Sequence, residues 1–410
     1  MPGHDQPDTA PAELGSREAW RNVAATFLST FVVFGVAYSF GTFFEPMAQD
    51  FAAGSGAISL VFAITSFAYF LLGPITGRLV DRFGPRPVLL AGAVALGAGL
   101  VLTAQVDRLW LGYVTYGLGV GIAVACGYVP MVAVVGAWFD RGRGTALGVA
   151  VAGIGVGTLV VAPLAASMIT RIGWRTTYLQ FALAGSVLLV IAALLSSKPP
   201  VRTGGTPRRL RTTVRSPAFA SLYGSMLLMA LALFVPFVFL PPYAVANGAS
   251  QVAGGTLVGL IGIASVAGRL GLGVVADRFG RIRVYRLCFV AMAASFTIWL
   301  TATEYPWLVV FAIVFGVGYG GFIALNPAVV AEAFGVVGLG AIVGVLYTSA
   351  GIGSLIGPPL AGLVIDATGT YTWAIVGSMA AAAGAAAVLV PLEGLRTSAA
   401  EPGASPRDAT

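Results

Sequence analysis

Long apolar stretches alternate with short polar segments along most of this chain. Each stretch covers about 19–29 residues, which is enough for an α-helix to cross a hydrocarbon core of about 30 Å. We predict twelve such helices, near 22–44, 56–77, 87–105, 109–137, 144–169, 177–195, 217–243, 254–276, 284–303, 306–332, 341–365 and 372–392.

The pattern predicts an all-α membrane protein with two six-helix bundles. Apolar runs this continuous are not barrel strands, because lumen-facing positions of a barrel strand are polar. We place a polar tail at 1–21, the first bundle at 22–195, a linker at 196–216, the second bundle at 217–392 and a second tail at 393–410. The linker is rich in arginine and contains a glycine pair, as expected of a polar loop.

Composition and charge agree with a membrane location. The chain is 58% hydrophobic and 10% charged, whereas soluble domains carry roughly 25% charged residues. The net charge of +7 does not indicate nucleic acid, because most arginines fall on one side of the predicted membrane. This bias predicts that both termini are cytoplasmic. The N-terminal tail lacks an apolar core, so we expect no cleaved signal peptide.

Few residues in the predicted helices suit metal or cofactor chemistry. The only histidine is His4, in the N-terminal tail, so no histidine relay crosses the membrane. Cys126 and Cys288 both fall inside predicted helices, which argues against a disulfide framework or a metal site. We expect no cofactor and no enzymatic activity.

A short motif occurs once in each half. Gly77–Gly84 (GRLVDRFG) matches Gly273–Gly280 (GVVADRFG) at an offset of 196 residues, each copy between the second and third helix of its half. The glycine allows close helix contact, the aspartate can face a helix N-terminus, and the arginine stays in the headgroup layer. We assign gating and topology roles to six residues: Gly77, Asp81, Arg82, Gly273, Asp277 and Arg278.

This repeated motif resembles the signature loop of the major facilitator superfamily over roughly residues 20–392. The resemblance implies two parallel six-helix halves with a substrate site between them near the membrane midplane.

A narrower resemblance follows in the fourth and fifth helices. Trp138–Gly153 (WFDRGRGTALGVAVAG) resembles the monocarboxylate transporter signature over sixteen positions, with departures at Gly142 and Thr145. The preceding Tyr128-Val129-Pro130 also resembles that family and its oxalate–formate relatives. The small residues of the motif predict close helix packing.

Arg269 is the one charged residue deep inside a predicted helix. It precedes Asp277 by eight residues, or about 12 Å of helix, which places it near mid-membrane. The equivalent position in the first half is Gly73, so the fold itself does not demand arginine there. Arginine stays charged in proteins, and intramembrane charges usually mark a substrate or ion pathway.

Two interpretations of Arg269 remain open on the residues alone. It is either a structural arginine bonded to backbone carbonyls or a permanent counter-ion, or a site for an anionic substrate. No aspartate or glutamate falls in the middle of a predicted helix, which favours the substrate. The resemblance implies the same, since monocarboxylate transporters carry a carboxylate-binding arginine in the eighth helix.

The chain departs from that family at positions implicated in proton coupling. Ser265 stands one turn before Arg269, where many family members have aspartate, and the first helix has no lysine. The proton would then travel on the acid or on its complex with Arg269, unless the protein is a facilitator. The predicted eleventh helix also lacks a second cation, which disfavours dicarboxylates.

Six weaker candidates for the binding site share a predicted helix face or a family position with this region: Tyr38, Tyr128, Ser265, Phe322, Asn326 and Tyr347. For any one of the tyrosines, packing or a membrane-interface role is an equal alternative.

The function we predict is secondary transport of a small monocarboxylate such as lactate or pyruvate, with a proton, by alternating access. Its expected partners are the acid, the proton and the lipid bilayer. We expect a monomeric functional unit in a plasma membrane, such as a bacterial inner membrane. The alternatives are an exchanger or exporter of other organic anions or drugs, and a sensor without flux.

Overall fold

A computed structural model describes residues 16–139, 142–199, 213–302, 304–334 and 339–390. The tail predicted at 393–410, most of the tail at 1–21 and most of the linker at 196–216 lie outside these residues. Within the described part of the chain every regular element is a helix.

Twelve helices, α1 to α12, follow one another in the order predicted. Two of them, α5 and α6, are the two parts of the run Arg143–Leu195 on either side of Gly173. The others are α1 Arg17–Phe51, α2 Ser55–Phe83, α3 Pro85–Thr103, α4 Leu109–Trp138, α7 Pro217–Ala246, α8 Gln251–Phe279, α9 Arg281–Thr301, α10 Tyr305–Phe334, α11 Leu339–Thr368 and α12 Thr372–Val388. Ten helical runs of the described chain are long and apolar enough to cross a membrane, and α12 is apolar but shorter.

Gly173 turns the run Arg143–Leu195 back across the membrane. Fifty-three helical residues would extend about 80 Å, far more than a core of about 30 Å. Gly173 has φ 78° and ψ 162°, a conformation that residues with a Cβ rarely adopt. The predicted break between 169 and 177 is therefore a single glycine between two crossings.

Helix α1 is longer than predicted and bends in the middle. The prediction was 22–44, whereas the helix runs from Arg17 to Phe51 with a break at Ser39. Its polar ends remain helical beyond the apolar core. Helix α7 breaks at Phe234, one residue from the equivalent place.

The offset of 196 residues in the repeated motif is also the offset of the fold. Helices α2 and α8 are both 29 residues long and begin and end 196 residues apart. Helices α4 and α10 also begin 196 residues apart, at Leu109 and Tyr305. The chain is thus two pseudo-symmetric six-helix halves, α1–α6 and α7–α12.

The two halves meet along three pairs of helices: α2 with α11, α5 with α8, and the second segments of α1 and α7. At the α5–α8 crossing, a Cβ on Gly155 would lie 2.3 Å from the carbonyl oxygen of Gly262. Only glycine allows this approach. Gly155 follows the sixteen-residue signature by two residues. Within the signature, Gly153 packs in the same way against Phe27 of α1, as predicted for its small residues.

A carboxylate joins the halves at one surface of the membrane. We call the surface at which α2 ends and α3 begins the signature side, and the other the opposite side. On the opposite side, Asp366 of α11 accepts hydrogen bonds from the backbone nitrogens of Ser55 (2.7 Å) and Gly56 (2.9 Å) in the first turn of α2. The N-cap of α2 is Gly54, which offers no side-chain acceptor. A helix of one half is thus capped by the other half, a contact that favours the negative charge.

Replacing Gly155 by Ala should destabilise the protein by about 1–3 kcal/mol, because the new methyl group forces α5 away from α8. The change is measured as thermal unfolding of the purified protein in detergent. In the matched control Gly377→Ala of α12, the added Cβ meets nothing within 4 Å, so stability should stay the same or rise by up to about 1 kcal/mol. Equal melting temperatures for the two variants would contradict the role of the crossing.

Replacing Asp366 by Asn should shift the protein towards molecules open on the opposite side. The loss of charge at a helix N-terminus is worth about 1 kcal/mol, or about fivefold in the ratio of closed to open molecules. Distances between spin labels on Ala53→Cys and Ala367→Cys report the opening, with Cys126 and Cys288 replaced by Ala. The control is Asp107→Asn, an exposed carboxylate in the α3–α4 loop. The same distance distribution in both variants would show that the cap does not hold the halves together.

Candidate functional site

A cavity lies between the two halves at the middle of the bundle. Its volume is about 30 Å³, room for roughly two ordered water molecules, so side chains must move apart before an organic molecule fits. Nine of its fifteen lining residues are aromatic, which makes the walls mostly apolar. The lining comes from seven helices: Phe34, Tyr38, Tyr69, Phe70, Tyr128, Ile154, Met226, Ala230, Leu233, Phe234, Tyr319, Phe322, Ile323, Tyr347 and Ala350.

Arg269 of α8 lies beside this cavity. Its side chain is 6% exposed, and its guanidinium carbon is 5.8 Å from the ring centre of Tyr319, which lines the cavity. Arg269 is the only charged residue among the buried side chains of the described chain. The sequence-based placement at membrane depth agrees with this position.

The guanidinium group is only partly satisfied. Nη1 of Arg269 donates a hydrogen bond of 2.8 Å to the carbonyl oxygen of Val151 on α5, so it bonds across the interface between the halves. Nε and Nη2 are buried and have no hydrogen-bond partner. These two nitrogens form one edge of the guanidinium plane, the edge that binds a carboxylate through two parallel hydrogen bonds.

Tyrosine hydroxyls supply most of the other polar atoms at the cavity. The hydroxyls of Tyr38 on α1 and Tyr319 on α10 lie 3.0 Å apart and share a hydrogen bond, a further polar contact between the halves. The hydroxyl of Tyr69 on α2 is buried and unpaired. The cavity therefore offers hydroxyls and one guanidinium edge, with apolar rings around them.

Four of the six weaker candidates line the cavity: Tyr38, Tyr128, Phe322 and Tyr347. The ring of Tyr128 stands edge-on to Phe34 at 5.0 Å, and that of Tyr347 edge-on to Phe70 at 5.8 Å. Aromatic contacts thus fix their positions in the wall.

The other two candidates, Ser265 and Asn326, do not line the cavity. Ser265 donates its hydroxyl to the carbonyl oxygen of Gly262 in its own helix, and its backbone packs directly against Gly320 of α10. Asn326 donates to the hydroxyl of Tyr285 on α9 at 2.9 Å. Ser265 shares a helix face with Arg269, and Asn326 shares one with Phe322. Neither reaches the cavity, because a neighbouring helix covers Ser265 and another covers Asn326.

The signature-loop residues lie away from the cavity, and one detail differs from expectation. A Cβ on Gly77 or on Gly273 would meet nothing within 4 Å, so neither glycine marks a close helix contact here. Asp277 accepts a hydrogen bond of 3.2 Å from the side chain of Arg281, the first residue of α9. Among the other loop residues, Asp81, Arg82 and Arg278 are exposed.

Sequence reasoning missed two tyrosines of the cavity, Tyr69 and Tyr319. The repeat held a signal for the first, because position 69 is equivalent to 265, just as Gly73 is equivalent to Arg269. Helix spacing held a signal for the second, because Tyr319 precedes Phe322 by three residues and shares its face.

Comparison with known proteins places this geometry in a family. A profile described as the Major Facilitator Superfamily matches residues 26–274 and 222–409, in two overlapping segments. The chain is 31% identical over 386 residues to "Monocarboxylate transporter 3" of Mus musculus, with 89% of this chain and 78% of the mouse protein covered. It is 28% identical over 368 residues to the "Fujikurins efflux protein" of Gibberella fujikuroi, with 88% and 78% covered.

The fold also has a counterpart among solved structures. The crystal structure of a bacterial homologue of the human lysosomal transporter Spinster superposes with a TM-score of 0.68. The two sequences are 14% identical, and the match covers 92% of this chain and 95% of the other. At this identity the likeness concerns the fold alone.

Proposed function

The chain belongs to the major facilitator superfamily, and on this premise we propose that it carries a small organic monocarboxylate, such as lactate or pyruvate, together with a proton by alternating access. The observation that carries the proposal is the buried, unpaired Nε–Nη2 edge of Arg269 beside the aromatic cavity. An unpaired charge at this depth is costly, and a carboxylate entering from water satisfies both free nitrogens at once.

The surroundings of Arg269 support one carboxylate of modest size. Arg269 has no ion pair with any described residue, and Nη1 is already held by Val151. The bond to Val151 uses Nη1 and leaves the Nε–Nη2 edge of the guanidinium free. The aromatic walls favour an apolar tail, because burying apolar surface stabilises the complex by roughly 25 cal/mol per Å².

Export of other organic anions or drugs is the second candidate function. The name of the Gibberella relative, an efflux protein, favours it, while the mouse relative is named as a monocarboxylate transporter. Within the described residues the one buried charge is positive, which suits anions better than cationic drugs. Uptake assays with a panel of C2–C6 mono- and dicarboxylates and larger organic anions separate the two functions.

Proton coupling in this proposal does not use a protein carboxylate at the cavity. The position one turn before Arg269 is Ser265, whose hydroxyl bonds to its own helix. The proton would enter with the acid, so uptake should follow an imposed pH gradient. Uptake that ignores the gradient points to facilitated diffusion.

We further place the protein in a plasma membrane as a monomeric unit with both termini cytoplasmic. The support for this orientation is the excess of arginine on the signature side, because loops rich in arginine face the cytoplasm. Arg86, for example, donates to the carbonyl oxygen of Ser196 there, where α3 begins and α6 ends.

Replacing Arg269 by Gln should abolish saturable uptake of labelled pyruvate into proteoliposomes while leaving the melting temperature close to that of the unmodified protein. Arg269→Lys keeps the charge but loses the two-nitrogen edge, so its affinity should fall roughly tenfold or more. Binding and uptake are both measured, to separate affinity from turnover.

The control is Arg283→Gln, which makes the same change at an exposed position of α9 and should leave uptake unchanged. Uptake by Arg269→Gln at the level of the unmodified protein would refute the assignment of the carboxylate site.

A further inference from the structure

Among the lining tyrosines in the described part of the chain, Tyr69 has the hydroxyl that is fully buried without a hydrogen bond. The side chain is 2% exposed, and its hydroxyl is buried without a hydrogen-bond partner. The neighbouring hydroxyl of Tyr38 is bonded to Tyr319. A molecule in the cavity would supply the hydrogen bond that the Tyr69 hydroxyl lacks.

The ring of Tyr69 is held firmly in the cavity wall. It stands edge-on to Phe34 with ring centres 6.0 Å apart, and it is tilted against Phe70 at 4.5 Å. These contacts restrict the ring, so the hydroxyl cannot easily turn away to find a partner elsewhere. A buried hydroxyl without a hydrogen bond is unfavourable. A bound ligand that supplies the hydrogen bond removes this cost.

The internal repeat places Tyr69 at nearly the same membrane depth as Arg269, in the other half. Position 69 of α2 is equivalent to position 265 of α8, which is one turn from Arg269. The two halves are related by an axis along the membrane normal, so Tyr69 lies within one helical turn of the depth of Arg269, on the other half. Tyr69 lines the cavity, and Arg269 contacts Tyr319 of the same cavity wall, so an acid held at Arg269 occupies the space that the Tyr69 hydroxyl borders.

We infer that Tyr69 selects 2-oxo and 2-hydroxy monocarboxylates by hydrogen-bonding the oxygen on their α-carbon while Arg269 holds the carboxylate. The inference rests on the proposed function and deepens it. A phenol both donates and accepts, so it serves the oxo group of one class and the hydroxyl group of the other. An unsubstituted acid leaves the Tyr69 hydroxyl unpaired in a closed site, and sites of this kind reject such analogues.

The test compares pyruvate, lactate and propionate, three acids of the same chain length, for uptake by the full-length protein in proteoliposomes. The unmodified protein should show a higher kcat/KM for pyruvate and lactate than for propionate. Tyr69→Phe removes only the hydroxyl, so kcat/KM for pyruvate and lactate should fall about threefold to tenfold, with propionate little changed.

The matched control is Tyr178→Phe. Tyr178 is buried in the same half and stacks on Phe43, and its hydroxyl lies 3.8 Å from the sulfur of Met47, away from the cavity. This variant should transport all three acids like the unmodified protein.

The possible failures are distinguishable. If the unmodified protein takes up none of the three acids, the proposed function fails. If Tyr69→Phe lowers uptake of all three acids equally, Tyr69 is structural and only the inference fails. If Tyr69→Phe does not fold, the unmodified protein still decides, because equal kcat/KM for pyruvate and propionate overturns the inference.

Discussion

A guanidinium charge buried between two helical halves is the constraint on which the centre of this protein depends. The charge of arginine cannot be neutralised by losing a proton, so each N–H group of Arg269 needs an acceptor or stays unpaired at a cost. The backbone of α5 satisfies one side of the group through Val151. The other edge has no acceptor among the described residues, which leaves it for the contents of the cavity.

Close packing of glycines makes that bond across the interface possible. Gly155 and Val151 are one turn apart on α5, and Gly262 and Arg269 are two turns apart on α8, so each pair shares a helix face. Because Gly155 and Gly262 bring the two backbones together, the carbonyl of Val151 comes within reach of Arg269. Gly155, two residues beyond the sixteen-residue signature, thus contributes to binding indirectly, because it sets the distance between the halves.

The sequence predicted the architecture and the central charge but only part of the cavity wall. Hydropathy and the 196-residue offset specify helix number, order and repeat, because these depend on the chain alone. Tyr69 lines the cavity, whereas Ser265 and Asn326 do not. This difference depends on which neighbouring helix covers each helix face. The repeat carries part of this information: Phe34 and Ala230 are equivalent positions, as are Tyr38 and Phe234, and all four line the cavity.

Two of the polar contacts between the halves, the Asp366 cap and the bond from Arg269 to Val151, differ in how they can be broken. Asp366 and the first turn of α2 lie at an exposed surface, so water replaces both partners when that side opens, and the net cost is that of a surface interaction. Water does not replace the carbonyl of Val151 as easily at membrane depth, where Arg269 is almost fully buried. We expect opening on the opposite side to exchange the Asp366 cap for water, and rearrangement at the centre to require another anionic or carbonyl acceptor for Arg269. A carboxylate is such an acceptor, which links occupancy of the site to movement of the halves without a protein acid in between.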